Sequence, residues 1–169
     1  VDAIREIEIE DLLGRESAAP DPQLLSQCVT GKVVLVSGAG GSIGSELCRQ
    51  LVLLRPLRLV LMDLTEFALY SIDQELSSLC AARKLRVEVV PLLGSVSHQR
   101  RNQMIMTSFG VQTVYHAAAY KHVPLVEHNP IEGLRNNAVA TRCMAEAALA
   151  AGVETFVLIS TDKAVRPTN

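Results

Sequence analysis

The 169-residue chain has no tryptophan and only three phenylalanines and three tyrosines. It therefore lacks the aromatic platform on which nucleobases stack. Its charge is nearly balanced, −2 at pH 7, so no basic field marks it for nucleic acid. The four cysteines, Cys28, Cys48, Cys80 and Cys143, form no C-x-x-C pair, and no histidine stands at zinc-ligand spacing. They read as reduced, helix-borne core residues of a cytosolic domain, and no metal site is expected. No apolar run reaches the roughly 18 residues that span a bilayer, and no secretory signal is visible. Internal repeats and low-complexity tracts are absent as well.

What is present is apolar sequence, 49 % of the chain, enough for one domain with a sizeable core. Residues 1–30 read as an arm. Charge alternates with Ile and Leu in Ile7-Glu8-Ile9-Glu10-Asp11-Leu12-Leu13, a Pro20-Asp21-Pro22 loop signal follows, and residues 23–28 suit a short helix. From residue 31 to 169 strands and helices alternate. Short apolar runs predict strands over 33–36, 57–62, 85–91, 112–115 and 155–159. Helical spacing predicts helices over 42–54, from Thr65 as N-cap to Cys80, over 97–108, and from Asn129-Pro130 to Ala151 with Gly152 just past its end. The alternation implies an α/β Rossmann-type fold, a doubly wound parallel sheet of order 3-2-1-4-5 with right-handed crossovers.

Three segments carry the chemistry. The first, Gly38-Ala39-Gly40-Gly41-Ser42-Ile43-Gly44, joins the first strand to the first helix with G-x-x-G-x-x-G spacing. Gly38 can make the tight turn, Gly41 leaves room for a pyrophosphate, and Gly44 lets helix and strand approach. The amides of Ser42 and Ile43 then face the phosphates from a helix N-terminus. Asp63 follows about 20 residues on, where an acid accepts from ribose hydroxyls; the plainer alternative is a cap for the next helix. No Arg follows Asp63 directly, which favours NAD over NADP.

The second segment, Tyr115-His116-Ala117-Ala118-Ala119-Tyr120-Lys121-His122, lies at the carboxyl end of the fourth strand, where ligands bind in such sheets. The small residues Ala117, Ala118 and Ala119 let the backbone approach a cofactor. His116 and His122 read as packing or backbone-bonded residues and not as acid–base groups. His98 and His128 read as surface residues. Lys121 is a candidate for cofactor and substrate contact, against the plainer reading of a solvated lysine. Asn136 and Asn137 lie in the Ala-rich helix that follows. One of them should face the site or tie helix to loop, the choice falling on Asn137, and the other should be exposed.

The third segment, Ser160-Thr161-Asp162-Lys163-Ala164-Val165, places a hydroxyl, a carboxyl and an amine at the end of the fifth strand. A hydrogen-bond donor, an acid and a base could be built from it. A solvated turn with a weak Asp–Lys ion pair is the alternative, and on the residues alone the two readings stand level.

These segments, with Val123-Pro124 after the second and Arg166-Pro167-Thr168-Asn169 after the third, resemble the CapD-like polysaccharide-biosynthesis group. These are nucleotide-sugar 4,6-dehydratases within the extended short-chain dehydrogenases/reductases. The segment Ile9-Glu10-Asp11-Leu12-Leu13-Gly14-Arg15 is also similar to the stretch before the catalytic domain in their long, membrane-anchored members. The resemblance covers nearly the whole chain.

It implies NAD as a recycled cofactor and a UDP-N-acetylhexosamine as substrate. C4 is oxidised, water is lost across C5 and C6, and C6 is reduced, leaving a 4-keto-6-deoxy sugar for surface polysaccharide. Thr161 would bond the C4 oxygen, Asp162 would protonate the departing C6 hydroxyl, and Lys163 would take the C5 proton. Ser95 and Val96 would lie at the adenine, although many relatives carry an Asp where Ser95 stands. A homo-oligomer is expected, in a cytoplasmic domain whose parent is anchored in the inner membrane by a segment outside this chain. The family places a Tyr or Met four residues before a Lys just past the Pro-Thr-Asn, followed by a sugar-nucleotide domain. The chain ends at Asn169 ahead of both, so this piece alone is expected to be inactive. A 4-epimerase or reductase of the same superfamily would show a Ser- or Thr-rich stretch in place of Thr161-Asp162-Lys163. A non-catalytic NAD-binding module would have lost the acid–base pair.

Overall fold

A computed structural model describes residues 22–160. The element order is α1 (Pro22–Gln27), β1 (Val33–Ser37), α2 (Ser42–Leu53), β2 (Arg58–Asp63), α3 (Glu66–Arg83), β3 (Glu88–Leu93), α4 (Gln99–Phe109), β4 (Thr113–His116), α5 (Val123–His128), α6 (Pro130–Leu134), a π-helical turn (Arg135–Val139), α7 (Ala140–Ala150) and β5 (Thr155–Leu158). The five strands form one sheet of order β3-β2-β1-β4-β5, and every pairing is parallel. The expected Rossmann-type order is the observed one.

Parity along the strands divides the core. Val34 and Val36 of β1 and Leu59 and Leu61 of β2 face one side, where they meet Cys48, Leu51 and Val52 of α2 and Leu69, Ile72 and Leu76 of α3. Val33 and Leu35, with Val60, Met62 and Val114, face the other side, against Met106 of α4 and Ala140, Met144, Ala147 and Ala148 of α7. Period-two alternation of a strand covered on both faces produces this division. β1 is buried along its whole length. Among the described residues all four cysteines are free thiols. Burial pushes the Cys48 thiol up to about 12, which makes it inert. Cys28 follows α1 instead of lying within a helix.

The element ends are set by visible chemistry. Gly152, at φ +73°, closes α7. Its N–H donates to the Leu149 carbonyl and that of Val153 to the Ala148 carbonyl, the paired bonds of a Schellman ending. Besides shifts of one to three residues at other element ends, four features depart from the sequence reading. β3 covers Glu88–Leu93 and not 85–91, and it tolerates Pro91 because it is an edge strand, paired only with β2. Thr65 does occupy the N-cap of α3, but its hydroxyl makes no capping bond. α5 is an element the sequence reading lacks, and Pro124 sits in its first turn. The single helix expected from Pro130 to Ala151 runs continuously to Ala150 but carries a π turn, in which the Ala140 N–H reaches back five residues to the Arg135 carbonyl.

Candidate active site at the carboxyl end of the sheet

The chain leaves β1 at Ser37 and turns at Gly38, whose φ of +71° is left-handed and which few other residues adopt without strain. A side chain there would also overlap the Ala118 backbone, its Cβ falling 2.8 Å away, so the glycine loop and the β4 loop touch. At Gly44 a side chain would fall on the Gly38 carbonyl oxygen, so the first turn of α2 packs directly on the glycine loop just past β1. At Gly41, among the described residues, a side chain would meet only the Gly38 carbonyl oxygen, at 3.3 Å, so the loop is open on that side.

The first helical bond of α2 runs from the Ser45 N–H to the Gly41 carbonyl, 2.8 Å, and no side chain caps the helix. The amides of Ser42, Ile43 and Gly44 thus have no intrahelical acceptor, and they carry the positive end of a twelve-residue helix dipole. Such an opening suits a pyrophosphate.

Asp63, at the end of β2, turns both carboxylate oxygens to backbone amides. Its Oδ2 accepts from the Gly40 N–H at 2.9 Å, and its Oδ1 accepts from the Thr65 N–H at 2.8 Å. It thereby braces the glycine loop and starts the turn into α3. Each oxygen keeps a lone pair for a ribose hydroxyl. Gly40, which lies outside the G-x-x-G-x-x-G spacing, matters as well. A side chain there would strike Ala68 of α3, 2.5 Å away, so α3 backs the loop. Sequence alone gives no signal for that contact.

The second wall begins where His116 ends β4. His116 is buried, 1 % exposed, and burial lowers its pKa to about 4, in keeping with a packing role. Its Nδ1 lies 2.6 Å from Ser37 Oγ and its Nε2 3.0 Å from Thr141 Oγ1. His122, by contrast, is exposed at the N-cap of α5, so the packing expected of it is absent. His98 and His128 are exposed as expected.

Beyond Ala117 and Ala118, which are half-buried, the chain is held by Asn137. The Tyr120 N–H donates to Asn137 Oδ1 at 2.8 Å, and Asn137 Nδ2 donates to the Tyr120 carbonyl at 2.9 Å. Asn137 therefore ties helix to loop and keeps one amide N–H over for a ligand. Asn136 is half-buried, not exposed, and donates to Asn137 Oδ1 at 3.1 Å. Lys121, next after the clamped residue, reaches across the crevice. Its Nζ donates to Ser42 Oγ at 3.2 Å, which places the ammonium beside the free amides of α2.

Ser95 and Val96 lie after β3 on the far side of β2. The Ser95 hydroxyl bonds to Ser97 Oγ at 2.7 Å and accepts from the Ser97 N–H at 3.2 Å. From below, the fully buried Asn102 donates to the Val96 carbonyl at 2.9 Å, while its own Oδ1 is unpartnered. Asn102 is absent from the sequence-predicted site, and a polar residue inside a weakly periodic helix was the available signal. Thr161, Asp162 and Lys163 lie outside the described residues. β5 leads toward them alongside β4, in register with Leu158 opposite His116.

The profile of the polysaccharide biosynthesis protein family matches residues 34–169. The chain belongs to this family. Among its curated relatives are the capsular polysaccharide biosynthesis protein CapD of Staphylococcus aureus, 47 % identical over all of this chain and 28 % of that protein, and the probable polysaccharide biosynthesis protein EpsC of Bacillus subtilis, 45 % identical over 98 % of this chain and 27 % of that protein. A UDP-N-acetylglucosamine 4,6-dehydratase (inverting) of Campylobacter jejuni is 31 % identical over 82 % of this chain and 39 % of its own length. The chain thus spans a little over a quarter of the first two. Among solved structures, Pen from Bacillus thuringiensis superposes with a TM-score of 0.71 at 26 % identity, over 83 % of this chain and 40 % of that one. MoeE5 in complex with UDP-glucose and NAD gives 0.61 at 27 %, over 77 % and 36 %. In this family member, the described residues contain no helix long and apolar enough to cross a membrane and no cluster of metal-ligating side chains.

Proposed function

We propose that this domain binds NAD in the crevice between the glycine loop and the β4 loop, within a nucleotide-sugar 4,6-dehydratase acting on a UDP-N-acetylhexosamine. One observation carries the cofactor reading. Gly41, the free amides of α2 and Asp63 form a cradle open to a dinucleotide, with Lys121 already turned toward it. Gly38, Gly44 and the alanines 117–119 bring the two walls close enough to enclose the cofactor. Ser42 and Ile43 present amides to the phosphates, Ser95 and Val96 edge the adenine side, and Asn137 holds the wall against which the sugar nucleotide rests.

NAD supplies a hydride acceptor for C4 and the hydride that reduces C6. The rest falls to side chains beyond β5. Thr161 bonds the C4 oxygen. Lys163 removes the C5 proton, which requires its neutral form and thus a lowered pKa. Asp162 gives a proton to the departing C6 hydroxyl, which requires that it hold that proton as the hydroxyl leaves. A UDP-N-acetylglucosamine 4,6-dehydratase is 31 % identical and a UDP-glucose 4-epimerase 30 %, so the comparisons support the superfamily, and the choice of dehydratase within it rests on Thr161-Asp162-Lys163.

The test is incubation of the full-length protein with UDP-N-acetylglucosamine, read by product mass. Loss of one water without net NAD consumption, abolished by Lys163→Ala, is the expected result. An unchanged mass with C4 inverted by NMR would make the protein an epimerase instead. Asp63→Asn should separately weaken NAD binding by about tenfold or more, since a ribose acceptor loses its charge.

A further inference from the structure

A continuous line of hydrogen bonds runs beneath the crevice, and its direction can be read from chemistry alone. It ends at the Asn137 carbonyl, which can only accept. The Thr141 hydroxyl donates to that carbonyl at 2.8 Å, and so uses its single proton. Thr141 Oγ1 must then accept at its contact with His116, 3.0 Å away, which makes His116 Nε2 the donor. In a neutral ring, Nδ1 is left bare, and the Ser37 hydroxyl 2.6 Å away donates to it. The order is Ser37 to His116 to Thr141 to Asn137, every link pointing the same way.

The line joins the root of the glycine loop to the π turn. Ser37 is the residue before the left-handed Gly38 and pairs in register with His116. Asn137 belongs to the π turn and grips both backbone groups of Tyr120, next to Lys121. π turns recur at functional sites because they displace one residue from helical register. Here the displaced register serves Asn137 and Thr141 together. The remaining ring neighbour is Phe156 of β5, 6.0 Å between centroids. The ring's bonded partners on β1 and α7 and its neighbour on β5 are all uncharged.

We propose that His116 is a positioning residue, held as the Nε2–H tautomer, which fixes the root of the glycine loop to the π turn and thereby sets the Tyr120–Lys121 wall relative to the α2 amides. It touches no reacting atom. Its effect on ligand binding rests on the dinucleotide reading of the crevice, whereas the tautomer and the link to Tyr120 do not.

The test uses the chain labelled with ¹⁵N in histidine and backbone amides. Long-range ¹⁵N–¹H correlation at pH 7 should show His116 protonated on Nε2 alone; a proton on Nδ1 would overturn the proposal. Thr141→Val leaves the ring N–H without its acceptor, and Thr141→Ser restores it, so neither variant removes the histidine from the core. Thr141→Val should shift the Tyr120 amide resonance and weaken NAD binding by about tenfold, and Thr141→Ser should return both to the parent values. A Tyr120 amide that does not move in Thr141→Val sinks the idea. So does a Thr141→Ser protein no better than Thr141→Val. Should the parent chain fail to bind NAD, the cofactor reading falls, and the Tyr120 resonance alone decides for or against the positioning role.

Discussion

The two walls of the crevice are built on opposite principles. The glycine loop is shaped by exclusion: Gly38, Gly40 and Gly44 each lie where a side chain would strike backbone or a neighbouring helix. The β4 loop is shaped by attachment, since Tyr120 hangs on Asn137 through two bonds while Ala119, Tyr120, Lys121 and His122 are more open to solvent than the residues before them. The first wall joins a core in which β1 is fully buried. The second continues into α5, which buries none of its residues, and α6, where only Gly133 is buried. A wall made by close packing resists change everywhere, whereas a wall made by tethers changes when one tether is cut.

The largest expected effect tests the packed wall. Gly44→Ala should destabilise the domain by about 3 kcal/mol, as overpacking against rigid backbone does, measured by urea unfolding. A loss below about 1 kcal/mol would mean that the loop yields and that the contrast is false. The joint between the walls comes next and is reached through pH. His116 has a folded pKa of about 4 against an ordinary value near 6.5. Between these values the unfolded chain binds more protons, so stability is full above about pH 6.5 and falls as pH drops toward 4. From pH 7 to 5 about 2 kcal/mol should be lost, above the range in which the lowered carboxylates Glu46, Glu75 and Glu154 titrate. A His116→Gln chain should show a flat profile over that interval, and a parallel slope in both chains would refute the assignment.

On the tethered wall the effects are smaller and more local. Asn137→Ala should cost about 1 kcal/mol and speed hydrogen exchange at Tyr120 while leaving the glycine-loop amides protected. Equal acceleration on both walls would show that they open together. Smallest in stability is Lys121→Met, expected to change unfolding by less than about 0.5 kcal/mol. It should still weaken NAD binding severalfold and flatten its salt dependence. An unaltered affinity would leave Lys121 a solvated lysine.

Much of the fold was legible because its determinants are local. Val33-Val34-Leu35-Val36 suits a strand covered on both faces, and Gly38 and Gly152 mark turns that need a left-handed residue. The glycine loop and Asp63 were legible for the same reason. What the sequence hides depends on distant partners. The helix from Pro130 widens into a π turn at 135–139, where Asn137 is engaged by Tyr120, 17 residues away. Gly40 is constrained by Ala68, which no motif spacing contains. The Ser37–His116 bond arises because β1 and β4 pair in register across 79 residues.

The π turn also fixes how this stretch can vary in length. Each residue of an α-helix advances side chains by about 100° and 1.5 Å. Deleting Ala138 or Val139, which stand between Asn137 and Thr141, would let the backbone close into ordinary α-helix with its hydrogen bonds intact, so the cost would not fall on the helix. It would fall on direction. Either Asn137 would turn away from Tyr120 or Thr141 would turn away from His116, because one residue's rotation, about 100°, separates the geometries that satisfy them. Descendants of this chain can therefore lengthen or shorten the exposed turns around α5, but the count of residues from the Asn137 tether to Thr141 must be kept.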